Sequence, residues 1–365
     1  MTGQMTQQSA AEELSGRIFT AGVAAAELYG VYLGLTLGLY RVLADRPGLT
    51  GAALAEATGL DRRYVREWVQ GQAVSGFVLA SGTDLDTATF ALPPGGRDVL
   101  VDEVSPYYLA PLAQMPAAVG QALPTLTQAF RTGAGVPLPA YGPDGVTAQA
   151  ALNRPGYHHE LADSWIAAMP DVAARLADTT RPARVADLGC GGGWAAIALA
   201  TRYPHVHVDG YDVDEASVEF ARHNVADAGV ADRVTVTVHD LADPLPGAAG
   251  YDLVLLMECV HDMAFPARTL ATARGGVADG GAVLVMDEAT DDELVAPTDD
   301  PVQRFFANVS PIWCLPQGRT EPDADPVGTV IRASRMAELA AEAGFRSTEV
   351  LPIDNPFFRF YRLHA

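Results

Sequence analysis

The segment running Val185-Ala-Asp-Leu-Gly-Cys-Gly-Gly-Gly-Trp194 constrains this chain more than any other. It reads as a short apolar strand, then a glycine-rich loop, then a helix that begins near Trp194. Gly189, Gly191 and Gly193 let the backbone turn tightly and approach a ligand closely. The following helix offers unpaired N–H groups and the positive end of its dipole to an anionic group. A strand–loop–helix unit of this kind belongs to an open α/β sheet, whose ligands bind at the C-terminal ends of the strands.

Two cofactors compete for such a loop. A dinucleotide fingerprint is G-x-G-x-x-G/A with an acid further on, and Gly191, Gly193 and Ala196 with Asp212 match it loosely. Asp187 argues the other way. It sits at the end of the strand, where a dinucleotide site stays apolar to receive a pyrophosphate. A carboxylate there suits a ligand with a positive end, such as S-adenosylmethionine (SAM), which carries an ammonium, a sulfonium and a single carboxylate.

The stretch from Val185 to Gly193 resembles the first motif of class I SAM-dependent methyltransferases. That resemblance implies cofactor contacts for Asp187, Gly189, Gly191 and Gly193. It places Asp212, at the end of a strand over 206–211, on the ribose hydroxyls, with Val213 beside it. After a strand over 234–238, Asp240 and Leu241 fall where the family keeps an acid near the adenine amine. A strand over 252–257 ends at Met257 and runs into Glu258-Cys-Val-His-Asp-Met263. This element resembles the His-Asp element of small-molecule O-methyltransferases, whose matching histidine is the general base. His261 is therefore the expected base, with Asp262 orienting its ring or capping the next helix. A histidine suits the task because its ordinary pKa is about 6.5. Glu258 lies one helical turn before His261 if the element is helical.

Further strands are expected near 282–286, 347–352 and 357–363, and helices near 193–203, 214–228, 265–278 and 333–343. The alternation predicts a mainly parallel, doubly wound sheet. With the resemblance, the fold class is α/β: a seven-stranded Rossmann-like methyltransferase sheet, its last strand antiparallel, preceded by an α-helical winged-helix dimerisation domain. The expected divisions are 1–110 for the winged helix, 111–180 for connecting helices that line the pocket, and 181–365 for the SAM-binding domain. The segments Leu60-Asp-Arg-Arg-Tyr-Val-Arg-Glu-Trp68, Asp212-Val-Asp-Glu-Ala216 and Ile353-Asp-Asn-Pro-Phe-Phe-Arg-Phe-Tyr-Arg-Leu363 extend the resemblance to an actinobacterial group of winged-helix methyltransferases. Members of that group often have His before the cysteine of the long loop, where this chain has Trp313.

At 365 residues with 49% hydrophobic and 19% charged content, the chain has material for two domains and a large core. The net charge of −21 disfavours binding to phosphate backbones, so nucleic acid is excluded as the expected partner. The three cysteines, Cys190, Cys259 and Cys314, lack zinc spacing and read as reduced thiols in a cytoplasmic protein. The start of the chain lacks the basic region of a signal peptide. Residues 18–44 are apolar apart from Glu27 and Arg41, long enough to mimic a membrane span, with Gly30, Gly34 and Gly38 permitting close helix packing. The segment 33–44 resembles the opening of the winged-helix domain of many small-molecule methyltransferases, which implies helices buried in a homodimer rather than a membrane anchor.

Residues 49–79 read as a helix–turn–helix, with Thr50 and Asp61 as caps and a wing over 77–92. Arg62, Arg63 and Arg66 on its second helix invite a DNA reading. The acids beside them, Asp61, Glu67, Asp84 and Asp86, favour a dimerisation scaffold instead.

The acceptor side is read from two segments. Tyr157, His158 and Trp165 lie on a helical pattern over 157–176 and are candidates for the pocket wall; packing and solvent exposure are the alternatives. The long connection 287–329 holds Phe305, Phe306, Trp313 and Cys314, and Phe305 and Trp313 suit an aromatic wall for a small organic acceptor.

Glu258 and His261, with Asp287 or Glu288, also admit a divalent metal, which would activate a 2-oxo acid for C-methylation through an enolate. The leading expectation is O-methylation of a small molecule in secondary metabolism, with SAM consumed and S-adenosylhomocysteine (SAH) released. C-methylation stands second. A SAM-sensing DNA-binding regulator and a nicotinamide-linked reductase are the rivals from other classes.

Overall fold

The structure is a computed structural model that describes residues 7–247 and 250–365. The chain divides into two compact units, Met1–Ala118 and Val119–Ala365.

The first unit opens with α1 (Gln7–Thr36), then α2 (Leu39–Asp45) after a break at Gly38, whose φ of 68° is left-handed. A short β1 (Leu49–Thr50) leads into α3 (Gly51–Thr58), where Thr50 Oγ1 accepts the Ala53 N–H at 3.2 Å. α4 (Arg62–Val74) is capped by Asp61, which accepts from Arg63 and Tyr64 N–H groups. Such caps contribute about 1 kcal/mol each, and both were legible as single residues before apolar runs. β2 (Leu79–Ser81) and β3 (Thr89–Ala91) form the wing, giving a three-stranded sheet in the order β1-β3-β2. α5 (Gly96–Leu100) follows. Leu39, Leu43, Leu54, Val69 and Phe90 make the core of this unit. Two of the three arginines of α4 are held by acids: Arg63 by Glu67 at 2.9 Å and Arg66 by Asp86 at 2.9 Å. The apolar side chains of α1 are largely uncovered, with Ile18 68% and Phe19 74% exposed. By length and composition α1 is also long and apolar enough to cross a membrane.

α6 (Gln114–Thr132) carries the chain into the second unit, followed by α7 (Pro143–His159) and α8 (Pro170–Leu176). The single helix expected over 157–176 is broken. α7 ends at His159, a π-helical turn spans Leu161–Trp165, and Pro170 starts α8. The residue before a proline is pushed out of the helical region, and Met169 is at φ −118°, ψ 83°.

Strands and helices then alternate: β4 (Arg184–Leu188), α9 (Trp194–Arg202), β5 (His207–Asp212), α10 (Glu215–Asp227), β6 (Val234–Val238), β7 (Tyr251–Met257), α11 (Pro266–Gly276) and β8 (Val277–Glu288). The segment expected as a long loop holds two helices, α12 (Pro301–Val309) and α13 (Cys314–Gly318). The Asp300 side chain caps α12 and Pro301 occupies its first turn, a start signal that the loop reading passed over. α14 (Ala333–Glu342), β9 (Ser347–Val350) and β10 (Phe358–His364) close the chain.

The seven-stranded sheet has the order β6-β5-β4-β7-β8-β10-β9. β4, β5, β6, β7 and β8 pair in parallel, and β10 runs antiparallel to β8 and to β9. Alternate residues of each central strand feed two hydrophobic clusters. Val185, Leu253 and Leu255 join the cluster containing Leu199 and Trp165, and Ala186, Val254 and Leu256 join the one containing Leu270 and Leu339. Burial on both faces explains the unbroken apolar run of β7. The C-terminal ends of β4, β5 and β7 are thereby brought side by side.

Candidate active site

A cavity of about 440 Å³ opens at those strand ends, within the second unit. Its floor is the glycine loop. Gly189 adopts φ 72°, and the N–H groups of Gly189 and Cys190 both donate to Tyr211 O, at 2.8 and 3.0 Å. A Cβ on Gly189 would stand 3.0 Å from the Cys259 side chain. Gly191 N–H donates to Asp212 Oδ2 at 2.9 Å, and Asp212 Oδ1 accepts from Asp214 N–H at 3.0 Å. Asp212 thus ties the loop after β4 to the end of β5 while lining the cavity. Burial raises its pKa above the usual carboxylate value, against the two backbone donors. Gly189, Gly191, Asp212, Val213, Asp240, Leu241 and Met257 all line the cavity.

Two of the residues expected at the cofactor do not reach the wall. Asp187 is 1% exposed. Its side chain leaves β4 on the face covered by α9 and accepts the Ala196 backbone N–H, and its Oδ2 has no partner. Burial pushes its pKa up to about 7. Gly193, at φ 75°, starts α9, and the space of its missing side chain is closed by Ala221 at 3.2 Å. Asp187 and Gly193 shape the loop from behind.

The acceptor-side expectations need larger corrections. Tyr157 lines the cavity. Trp165 is 2% exposed and packs between Tyr157 and Phe360, because the π-helical turn rotates it into the core. His158 points outward against His159. Phe305 is 39% exposed on α12, paired with Phe306. Trp313 is buried against Tyr141 at 5.0 Å, with its Nε1–H donating to Gln149 Oε1 at 3.4 Å. Trp165, His158, Phe305 and Trp313 are not among the lining residues. The wall comes instead from α7, through Val146, Gln149, Ala150, Asn153 and Tyr157, and from Pro137, Leu138 and Pro139 with Gln317, Thr320 and Glu321. The α7 residues recur at helical spacing, and that stripe was the signal available in the sequence.

Beyond β7 lies the His-Asp element, a 3-10 turn over Val260–Asp262. His261 is fully buried and does not line the cavity, whereas Glu258 and Asp262 do. The ring is gripped by the end of β8: Nδ1 lies 2.6 Å from Asp287 Oδ1 and 2.8 Å from Glu288 Oε2. Nε2 lies 3.3 Å from Asp262 Oδ1. Burial opposes a charge on this ring, but Asp262, Glu288 and Asp287 outweigh it and raise its pKa well above the ordinary histidine value. Burial, then Asp287, suppresses the acidity of Glu288. Asp287 is opposed by burial, but the His261 charge and hydrogen bonds leave its pKa lowered.

Of the residues that would admit a metal, Glu258 stands apart, whereas His261, Asp287 and Glu288 are brought together. Glu258 turns to the cavity, where Asn153 Nδ2 donates to it, while Asp287 and Glu288 occupy His261 Nδ1 at hydrogen-bond distances. His261 does stand close to Asp262 and Cys314 and, separately, to Asp287 and Glu288, so metal-ligating atoms are clustered there. A buried imidazole with a hydrogen-bonded Nδ1, and with Nε2 beside the cavity-lining Asp262, fits proton handling through that carboxylate.

Six carboxylates line the cavity (Asp212, Asp214, Asp240, Glu258, Asp262 and Glu321), and no lysine, arginine or histidine does so among the described residues. Such a wall is hostile to a pyrophosphate and suits a ligand with cationic groups.

Comparison with known proteins agrees with this geometry. Residues 185–281 match the family described as "Methyltransferase domain", and residues 25–101 match "Rv2258c-like winged HTH domain". The chain is 28% identical over 185 residues to ubiquinone biosynthesis O-methyltransferase of Pseudomonas aeruginosa, covering 49% of this chain and 72% of that protein. It is 34% identical over 212 residues to aclacinomycin 10-hydroxylase RdmB of Streptomyces purpurascens, covering 55% of this chain and 53% of that protein. A match at 34% identity to polyketide synthase ThaQ of Burkholderia thailandensis spans 5% of that protein's length. A solved structure described as PigF with SAH superposes with a TM-score of 0.69 at 19% identity, covering 99% of this chain and 100% of that one, which is a likeness of fold. Residues 185–281 thus carry a methyltransferase domain, and a winged helix–turn–helix domain precedes it over residues 25–101.

Proposed function

We propose that the enzyme moves the methyl group of SAM to a hydroxyl oxygen of a small organic acceptor that carries no anionic group. The observation that carries this is the cavity itself: a nucleoside-sized floor at Asp212 and Asp240, the His261–Asp262 element beside it, and a wall of carboxylates without a cation. That wall weighs against a 2-oxo acid, so O-methylation is the better reading than metal-assisted C-methylation.

The transfer is an in-line displacement, which needs the acceptor oxygen held behind the methyl carbon and its proton removed. Asp262 is the member of the His261 cluster on the cavity wall. Its carboxylate takes the hydroxyl proton and passes it to His261 Nε2, while Asp287 accepts Nδ1–H and stabilises the imidazolium. SAM supplies the methyl group and, once it is lost, leaves as neutral SAH. The ring must be uncharged before the step, so the acids that stabilise its charged form also set the pH at which it works.

Two further parts of the proposal rest on the first unit and the composition. The uncovered apolar face of α1 supports a homodimer formed through the N-terminal helices, in which a second copy covers Leu14, Ile18 and Phe19. Three free buried cysteines support a reducing, cytoplasmic setting. The paired arginines of α4 support a scaffold rather than a DNA-reading role for the winged helix.

The test is mass spectrometry of a metabolite extract incubated with the enzyme and methyl-labelled SAM. Labelled, non-acidic methyl ethers are expected, and His261→Ala and Asp262→Ala each abolish most of the label transfer. Full transfer by His261→Ala would remove the base assignment, and label confined to carbon would favour C-methylation. Conversion of acceptor without label transfer would place the chain with hydroxylase-type chemistry instead.

A further inference from the structure

The turn after β7 and the start of α13 bring three metal-ligating side chains together. His261 and Asp262 stand in the 3-10 turn, and Cys314 opens α13. The two elements are pressed close: a Cβ at Gly318 of α13 would stand 2.8 Å from Asp262 O. Gly328 N–H donates to His261 O at 3.0 Å and fixes the turn from the other side. One imidazole nitrogen, one carboxylate oxygen and the Cys314 sulfur all lie within 4.8 Å of one another. His261 is fully buried, and its Nε2 makes no hydrogen bond among the described residues. Asp262 Oδ1, 3.3 Å away, makes none either. Two buried polar atoms left without hydrogen bonds at one point call for a further group between them.

The chemistry of the set selects that group. His261 Nδ1 is taken by Asp287 at 2.6 Å, with Glu288 beside it at 2.8 Å. A histidine that donates one ring N–H to a carboxylate presents its other nitrogen as an oriented, more basic metal ligand. Ligands about 2.0–2.1 Å from a tetrahedral ion stand about 3.3 Å from one another, which is the separation of Nε2 and Oδ1. The sulfur reaches its place, about 2.3 Å from the ion, by a side-chain movement of about 1 Å. Nitrogen, oxygen and sulfur in one set suit zinc(II) or cobalt(II) rather than calcium or magnesium, which take oxygen ligands. One carboxylate and one thiolate balance a divalent charge, so the buried site ends neutral. Three protein ligands leave a fourth position to water or to a cavity ligand, reached past Asp262, which lines the cavity.

We propose that His261 Nε2, Asp262 and Cys314 form a site for a divalent ion of the zinc class, which competes with the proton for the base. Nε2 and a carboxylate oxygen give lone pairs to the ion, and the sulfur–metal bond forms as the thiol proton passes to buffer. The bound ion then holds both atoms of the proton path, so methyl transfer stalls; this consequence rests on the proposed function, and the site itself does not. The test is titration of the full chain with cobalt(II) chloride, followed by absorbance, with zinc(II) chloride as the displacing ion. One equivalent is expected to bind with a thiolate-to-cobalt charge-transfer band in the near ultraviolet, which zinc abolishes. Cys314→Ser loses the band, Cys259→Ser keeps it, and Asp287→Asn weakens binding by about 10–100-fold. A band that persists in Cys314→Ser, or disappears in Cys259→Ser, would place the thiolate elsewhere and overturn the proposal. Binding without a band that survives Cys314→Ser but is lost in Glu288→Gln would put the ion on His261, Asp287 and Glu288 and overturn it too. Cobalt bound no more tightly by the wild type than by His261→Ala would show surface carboxylates alone and overturn it as well. Label transfer from SAM is expected to fall as zinc fills the site and to return with a chelator. Transfer that is unchanged or faster with the site filled would overturn the competition. A metal-free wild type that transfers no label would remove the functional reading behind that competition, while the cobalt spectrum still decides the site.

Discussion

Replacing Asp287 by Asn tests the His261 arrangement most directly, because it removes a charge and keeps the shape. Nδ1 and Asp287 Oδ1 are 2.6 Å apart and both residues are fully buried, so solvent does not screen the pair. At an effective dielectric near 20, opposite unit charges about 4 Å apart attract by about 4 kcal/mol. Part of that survives the substitution. The introduced amide keeps a hydrogen-bond acceptor, and Glu288, whose acidity burial and Asp287 suppress, regains charge when its neighbour is neutral. A residual loss of about 1.5–3 kcal/mol lowers the His261 pKa by about one to two units. The sign follows from the direction of the shift. The ring is held charged above the ordinary histidine range, so in the wild type methyl transfer rises with pH through a midpoint above that range. In Asp287→Asn the midpoint moves down, and the plateau falls by about 100-fold because the ring is less well oriented. The assay is the pH dependence of single-turnover methyl transfer at saturating SAM. An Asp287→Asn midpoint equal to the wild type, or one that moves up, would refute the coupling of Asp287 to the base.

Three other outcomes follow from residues outside the reaction itself. Asp187 has a folded pKa raised to about 7 by burial, above its ordinary value, so its ionisation opposes the fold as pH climbs from the unfolded pKa through the folded one. Asp187→Asn is therefore expected to melt higher than wild type at pH 8 but not at pH 4, and a constant difference across pH would exclude this account. Gly189→Ala places a Cβ 3.0 Å from Cys259 at a φ of 72°, and should lower stability by about 1–3 kcal/mol with loss of SAH binding, read by denaturant melts and titration. Ile18→Glu with Phe19→Glu puts two charges on the uncovered face of α1, and sedimentation should show a monomer for this variant against the dimer proposed for the wild type; a dimeric variant would move the interface elsewhere.

The sequence carried the frame of this protein because the frame is written in local signals. Thr50 and Asp61 stand before apolar runs and cap α3 and α4 at those places, since a cap needs only its own side chain and the next few N–H groups. Alternating strands and helices after Ala183 sufficed for the sheet, and a parallel sheet buried on both faces fixes which strand ends meet. Hence Gly189, Gly191, Asp212, Asp240 and Met257, which the family resemblance assigns to the cofactor, all line one cavity. What stayed hidden was decided by side-chain direction and by contacts distant in sequence. Asp187 faces α9 because its parity in β4 puts it on that face. Trp165 turns into the core because a π-helical turn, not an α-helix, carries it. His261 is closed off because Asp287 and Glu288, on a strand that joins β7 only in the folded sheet, draw its ring inward and leave Asp262 on the wall. Composition and spacing name the residues that can do this chemistry; only the packed sheet decides which face the cofactor and which stand behind.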